Sequence, residues 1–442
     1  MGMKRLPKQI AGITLGLAVL AHGQAALGFC RAELGNRLDG LASRPNLRRA
    51  RLGIVVETQA PNPAARQTIY ERDRDRAFVP ASNVKLFTTA AALQRLGPNY
   101  TTRTAIYGDA SGSAAGLTTL HVVGRGDPSL REEQLADLAQ QLSRQGITQV
   151  NQLIGYDGYF PGPTVHPDWE WADMQYGYGA GVNALMVAEN ELVVRISPRA
   201  VGQPLALEWV TPPPATPWPV QNVSQTVASG ANTFNLWRGF GSGTFLLSGH
   251  MAAGSEPRTL SMAIHQPAEY FLGRLQQQLR AAGVNVRQTS VSPQANASVT
   301  TELAAVTSSP LSEWIRITNQ RSNNQYAEAI LKTLGVVTRS GNNRAVSSAI
   351  AAGTDAVQTT LQPLGVNPAD YQIADGSGLS RHNLATPQSF VDLLQAMAYV
   401  PHAAIYRNSL AVAGETGTLR NRFRNTRVSG RLVGKTGALS NN

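Results

Sequence analysis

From Asn83 onward the apolar positions Val84, Leu86, Phe87, Ala90, Ala91, Leu93 and Leu96 fall on nearly every face of a helix. A helix without a polar face is buried on all sides, and Gly97-Pro98 marks its end. Ahead of it, "LGIVVETQ" (52–59) reads as a strand and "QTIYERDRDRAFVP" (67–80) as a second strand running into a loop. The texture changes from about 102 to 298. There, short β-like runs ("TTRTAIYG", "LTTLHVVG", "LVVRIS", "TFLLSG", "TLSMAI") alternate with Gly/Pro/Trp-rich loops, and amphipathic helices are predicted near 131–145 and 267–282. After about 305 the pattern turns helical again ("SPLSEWIRITNQ", "QYAEAILKTLG", "TPQSFVDLLQAMAYV") before a β-like close, "VSGRLVGKTGAL". No repeat of 20–50 residues is visible. The expected architecture is α/β (α+β): one domain formed by 36–102 and 299–442, split by a large, mostly β insertion over 103–298.

The first residues bear on compartment. Lys4, Arg5 and Lys8 precede an apolar run, Ile10–Ala21, and then the small residues of "HGQAALG". This is the layout of an export signal, assigned to 1–28, cleaved or not. The run of 12 residues is short of the ~20 that span a bilayer. Membrane contact is therefore at most peripheral or through an uncleaved signal, and the expected location is extracytoplasmic, the periplasm. Bulky Phe29 before Cys30 speaks against lipid attachment. Cys30 is the sole cysteine, so no intramolecular disulfide forms, and no CxxC or Cys/His cluster offers a structural zinc site. Neither metal nor cofactor is expected. The net charge of +11 comes from arginines scattered through mixtures such as Glu71–Arg76 rather than gathered into a basic stripe with aromatics. That excludes a nucleic-acid partner and leaves a basic surface suited to an anionic polymer.

Lysine usage changes the picture. Beyond Lys4 and Lys8 the chain has only Lys85, Lys332 and Lys435, against 34 arginines (39 basic residues minus 5 lysines). Arginine effectively never loses its proton in a protein, whereas a buried lysine can. Lys85 lies on the buried helix three residues after Ser82, a spacing that stacks the two side chains on one face. Serine needs a neighbouring base to become a nucleophile, and an amine held for proton transfer supplies one. Competing serine chemistries lack their residues. There is no G-x-S-x-G and no H-E-x-x-H; the seven histidines show no triad pattern, and His166 in "VHPDWEW" reads as a loop histidine rather than a ligand.

Two further segments complete a set. "RSNNQYAEAILK" carries Ser322-Asn323-Asn324, an S-x-N between helical stretches, and "RLVGKTGAL" carries Lys435-Thr436-Gly437 at the end of a strand-like run. S-x-x-K, S-[D]-N and K-T-G in that order mark β-lactamases and penicillin-binding proteins. Lys332-Thr333 is a decoy inside a helical stretch, where a solvated face accounts for it.

With these motifs, "VPASNVKLFTTAAAL", "VGRGDPSL", "WEWADMQYGYGA" and "DGSGLSRHN" (375–383), the chain resembles, over nearly its whole length, the low-molecular-mass penicillin-binding proteins of the penicillin-binding protein 4 type, D-alanyl-D-alanine carboxypeptidases/endopeptidases. Asn323 stands where that family usually has Asp. The resemblance implies a β-lactamase/transpeptidase-like domain and acyl transfer on peptidoglycan stem peptides, with β-lactams as inhibitors. It implies Ser82 as nucleophile, Lys85 as base, Ser322 as proton relay, and Asn324, Lys435, Thr436 and Gly437 holding substrate. The N–H groups of Ser82 and Ala438 would form the oxyanion hole. The turn 375–381 would lie near the site with a structural part only. Two other functions use the same motifs: a serine β-lactamase, and an inactive wall-binding protein. The 240 residues from Ser82 to Ser322 fit an insertion-bearing peptidase better than a compact β-lactamase, and no convincing deacylation glutamate stands between the second and third motifs. Five residues follow Gly437 where the family continues with further strands. The expectation is a truncated chain whose 430–437 strand lacks a neighbour.

Overall fold

The helix expected after Asn83 runs from Lys85 to Leu96, and every side chain from Lys85 to Leu93 is buried. A 3-10 turn, Ala81–Val84, leads into it, and Gly97, at φ 79°, takes the Leu93 carbonyl and stops it. The computed structural model describes residues 13–18, 31–108, 117–213, 218–239, 242–294, 301–340 and 347–439. They fall into two units, one of Met1–Tyr100, Pro310–Ala345 and Ile350–Asn442, the other of Thr101–Ser309 with Val346–Ala349.

In the first unit the buried helix is packed among Leu311–Arg321, Asn324–Ser340 and Pro387–Met397. Phe87 stacks on Tyr371 at 4.6 Å between ring centroids and meets Phe390 at 5.1 Å. Truncating such a ring to alanine costs about 3–5 kcal/mol. Thr386 caps the last of these helices by accepting the Ser389 N–H, with Pro387 in the first turn where its missing N–H costs nothing. The two strands read from the N-terminal sequence form a hairpin, Ile54–Glu57 against Thr68–Arg72.

The K-T-G run is the strand Val433–Ala438. Here the structure corrects an expectation, because this strand does not lack a neighbour. Ile13–Ala18 pairs antiparallel along its full length, from Ile13 opposite Ala438 to Ala18 opposite Val433. Ala411–Val412 pairs on its other edge, opposite Gly434 and Val433. Strand N–H and C=O groups demand partners, and a segment read as the core of an export signal supplies them. The rest of that signal, 1–12 and 19–28, lies outside the described residues.

The second unit is built on a five-stranded sheet ordered Asn285–Ser292, Gln149–Tyr156, Leu117–Val123, Arg103–Gly108, Thr301–Thr307. The first three run parallel and the last two pairings are antiparallel. The amphipathic helices Glu132–Arg144 and Pro267–Ala281 bury Leu135, Leu138, Leu142, Phe271, Leu275 and Leu279 in its core. His166 lies in this unit, buried, its Nδ1 accepting the Asp168 N–H at 3.2 Å. Among the described residues, no helix is long and apolar enough to cross a membrane.

Candidate active site

Ser82 sits in the 3-10 turn and Lys85 opens the buried helix, so local geometry alone brings them together: Lys85 Nζ is 2.9 Å from Ser82 Oγ. The residue before the nucleophile, Ala81, holds φ 49°, a left-handed conformation rare for a residue with a Cβ. Lys85 is wholly buried and has two further acceptors, Asn324 Oδ1 at 2.7 Å and the Ser377 carbonyl. Burial drives its pKa down to about 7, against the opposing pull of the Asp375 and Glu328 carboxylates. An amine so placed can be neutral near neutral pH, with a lone pair to receive the hydroxyl proton.

Ser322 terminates the helix Leu311–Arg321 in the left-handed region, φ 60° and ψ 36°, and Asn324 begins the next helix. This sharp corner presents the serine hydroxyl and the amide from one short segment. Ser322 Oγ accepts from Lys435 Nζ at 2.8 Å. Lys435 is also buried, and its pKa falls well below the ordinary lysine value, first through lost hydration and then through the nearby Lys85 charge. Its ammonium also reaches the Thr436 carbonyl, while Thr436 Oγ1 pairs with Thr418 Oγ1 at 2.9 Å. Gly437 lies against the serine turn. A Cβ there would be 2.6 Å from the Pro80 carbonyl and 3.1 Å from Asn83 Nδ2, so the strand closes on that turn because the side chain is missing. Ala438 is exposed at the strand's end.

The structure thus gathers Ser82, Lys85 and Asn324 around one nitrogen and couples Ser322 to Lys435, with Gly437 packed beside the nucleophile's turn. Sequence reading missed Glu328, buried one turn after Asn324, whose Oε1 accepts the Ser377 N–H at 2.8 Å. A signal was present: it is the sole acid in the helix Asn324–Ser340. Lys332 is correctly placed inside a helix but does not lie on a solvated face. It is buried one turn after Glu328, whose raised pKa its charge lowers.

Comparison with known proteins bears on identity. Residues 34–442 match the D-Ala-D-Ala carboxypeptidase 3 (S13) family. The chain belongs to that peptidase family. A D-alanyl-D-alanine carboxypeptidase of Actinomadura sp. (strain R39) is 33% identical, covering 98% of this chain and 80% of the relative. A Haemophilus influenzae D-alanyl-D-alanine carboxypeptidase is 25% identical over 84% of this chain and 76% of the relative. The crystal structure of penicillin binding protein 4 from the same organism superposes with a TM-score of 0.74 at 24% identity, covering 84% of this chain and 82% of that one. That likeness establishes the penicillin-binding protein 4 fold, and membership of the S13 family makes the chain a hydrolase of the D-Ala-D-Ala carboxypeptidase type.

Proposed function

We propose that this S13 peptidase removes or cleaves after D-alanine in peptidoglycan stem peptides through an ester on Ser82, and that β-lactams trap the same serine. The observation that carries it is Lys85 Nζ, buried and 2.9 Å from Ser82 Oγ, with its other two acceptors fixed at Asn324 and Ser377. Lys85 accepts the hydroxyl proton as Ser82 Oγ attacks the carbonyl of the penultimate D-alanine. The bond to the terminal amine then breaks, and Ser322, held by Lys435, passes a proton to the departing nitrogen. Water hydrolyses the ester, with the serine as leaving group.

The strand edge supports this pose. On the Ala411–Val412 side, pairing covers Val433 and Gly434, so among the described residues Lys435–Ala438 have no strand partner on that edge. An extended peptide laid there meets the Lys435 ammonium with its carboxylate, Asn324 with its amide and Thr436 with its backbone. The N–H groups of Ser82 and Ala438 receive the oxyanion, one such donor typically contributing ~2.7–4 kcal/mol. Peptidoglycan is extracytoplasmic, which favours action in the periplasm, and the pairing of Ile13–Ala18 with Val433–Ala438 fits the export signal read at 1–28 in its uncleaved form. The solved Haemophilus influenzae protein has been crystallised with a β-lactam, which supports the inhibitor half of the proposal.

The test is intact-mass analysis after penicillin treatment, followed by peptide mapping. The expected result is one stoichiometric adduct on Ser82, and an adduct on another serine overturns the assignment. Digestion of purified muropeptides then separates terminal trimming from cross-link cleavage. Rapid turnover of a chromogenic cephalosporin would favour a β-lactamase instead.

A further inference from the structure

The turn Asp375–Asn383 supplies the third acceptor of Lys85, and two carboxylates fix its shape. A neutral amine has two N–H donors and one lone pair. Asn324 Oδ1 and the Ser377 carbonyl are both pure acceptors, so together they claim the two N–H bonds and leave the lone pair to the Ser82 hydroxyl. The direction of that lone pair therefore depends on where the Ser377 carbonyl points.

That carbonyl belongs to the Ser377–Gly378 peptide, whose N–H is donated to Asp375 Oδ1 at 2.6 Å. The same carboxylate accepts the Ser380 N–H at 2.6 Å and Asn383 Nδ2 at 2.9 Å. The preceding peptide is held at both ends: the Ser377 N–H goes to Glu328 Oε1 at 2.8 Å, and the Gly376 carbonyl accepts from Thr88 Oγ1 at 3.0 Å. Both carboxylates are shut away from water, Asp375 at 0% and Glu328 at 2% exposure. A buried carboxylate is costly unless its hydrogen bonds and charge are used, and here the two hold the successive peptides on either side of Ser377 and act on one amine.

We propose that Asp375 and Glu328 are positioning residues for Lys85, orienting the Ser377 carbonyl that fixes the amine and placing negative charge behind it. The inference rests on the proposed roles of Ser82 and Lys85. The field has a defined sign: both carboxylates hold the Lys85 pKa up against burial. Lys85 works as a neutral amine, so removing either charge widens its working range toward acid. The other charges facing this cluster are Lys332, one turn beyond Glu328, and Lys435 on the strand Val433–Ala438. Lys332 lowers the Glu328 pKa, the Lys85 charge lowers that of Lys435, and both lysines remain in the variants. Burial and the Asp375 charge raise the Glu328 pKa, while its hydrogen bonds to Ser377 and Gly376 and the Lys332 charge hold it down.

The experiment follows the second-order rate of Ser82 acylation by a fluorescent penicillin from pH 5 to 9. In Glu328→Gln the amide oxygen still accepts the Ser377 N–H. Its plateau rate should stay within a few-fold of wild type while the acid limb moves to lower pH by roughly half to one unit. Glu328→Asp restores the charge and should return the limb toward its wild-type position. Asp375→Asn turns an acceptor into a donor facing the Ser380 N–H; its plateau should fall about 10–100-fold as the carbonyl shifts, with the limb again displaced to acid. Folded Glu328→Gln or Asp375→Asn protein with an unmoved limb overturns the inference. A wild-type chain that carries no adduct on Ser82 overturns the catalytic reading beneath it instead, so the two failures are distinguishable.

Discussion

Gly378 couples backbone shape to chemistry, and replacing it with alanine puts a number on that coupling. Its φ is 83°, a region that costs an L-residue ~1–2 kcal/mol. The new Cβ would overlap the Ala81 carbonyl and lie 3.0 Å from the Ser82 nitrogen, where ordinary contact begins at 3.4 Å. Ala81 cannot retreat, because the nucleophile's turn is packed beneath the Val433–Ala438 strand. The Gly378 turn must withdraw instead, taking with it the Ser377 carbonyl bonded to Lys85. A misplacement of about 1 Å in a catalytic array costs on the order of 10²-fold, and penicillin acylation of Gly378→Ala should fall by that amount. Gly365→Ala is the control. It has φ 89° but no atom within 4 Å of the added Cβ, so it carries the strain without the collision. It should lose ~1–2 kcal/mol of stability and acylate normally. The assay is stopped-flow acylation beside thermal unfolding of both variants. Equal acylation rates in Gly378→Ala and Gly365→Ala would refute the coupling.

Lys85→Arg should abolish acylation, since guanidinium is no base near neutral pH, whereas Lys435→Arg keeps the charge beside Ser322 and should leave a weakened, measurable rate; equal loss would mean that charge alone defines Lys85. Wild-type acylation should rise with pH through about 7 as Lys85 loses its proton, and a rate that falls over this range would exclude a neutral-lysine base. A chain beginning at Arg31 loses the strand that pairs with Val433–Ala438; calorimetry and stopped-flow should show lower unfolding temperature and slower acylation, and unchanged values for both would mean the Ile13–Ala18 pairing contributes nothing.

Sequence alone determined whatever depends on near neighbours in the chain. Apolar residues on every face announced a buried helix, and Lys85–Leu93 is buried. Ser-x-x-Lys is one helical turn, so the 2.9 Å approach of Ser82 and Lys85 follows from spacing. Rare lysine singled out Lys85 and Lys435 because burial changes what an amine can do, while an arginine stays charged. Tertiary structure decided which distant groups surround those amines. Asn324 and Ser377 lie 239 and 292 residues from Lys85, and no periodicity relates such positions. The same limit hid Glu328 and left Lys332 to be read as solvated, because a charge on a helix looks surface-facing until its neighbours are known. It also hid the partner of Val433–Ala438: an edge strand states in sequence that its backbone needs pairing, but only the folded chain selects Ile13–Ala18 to provide it.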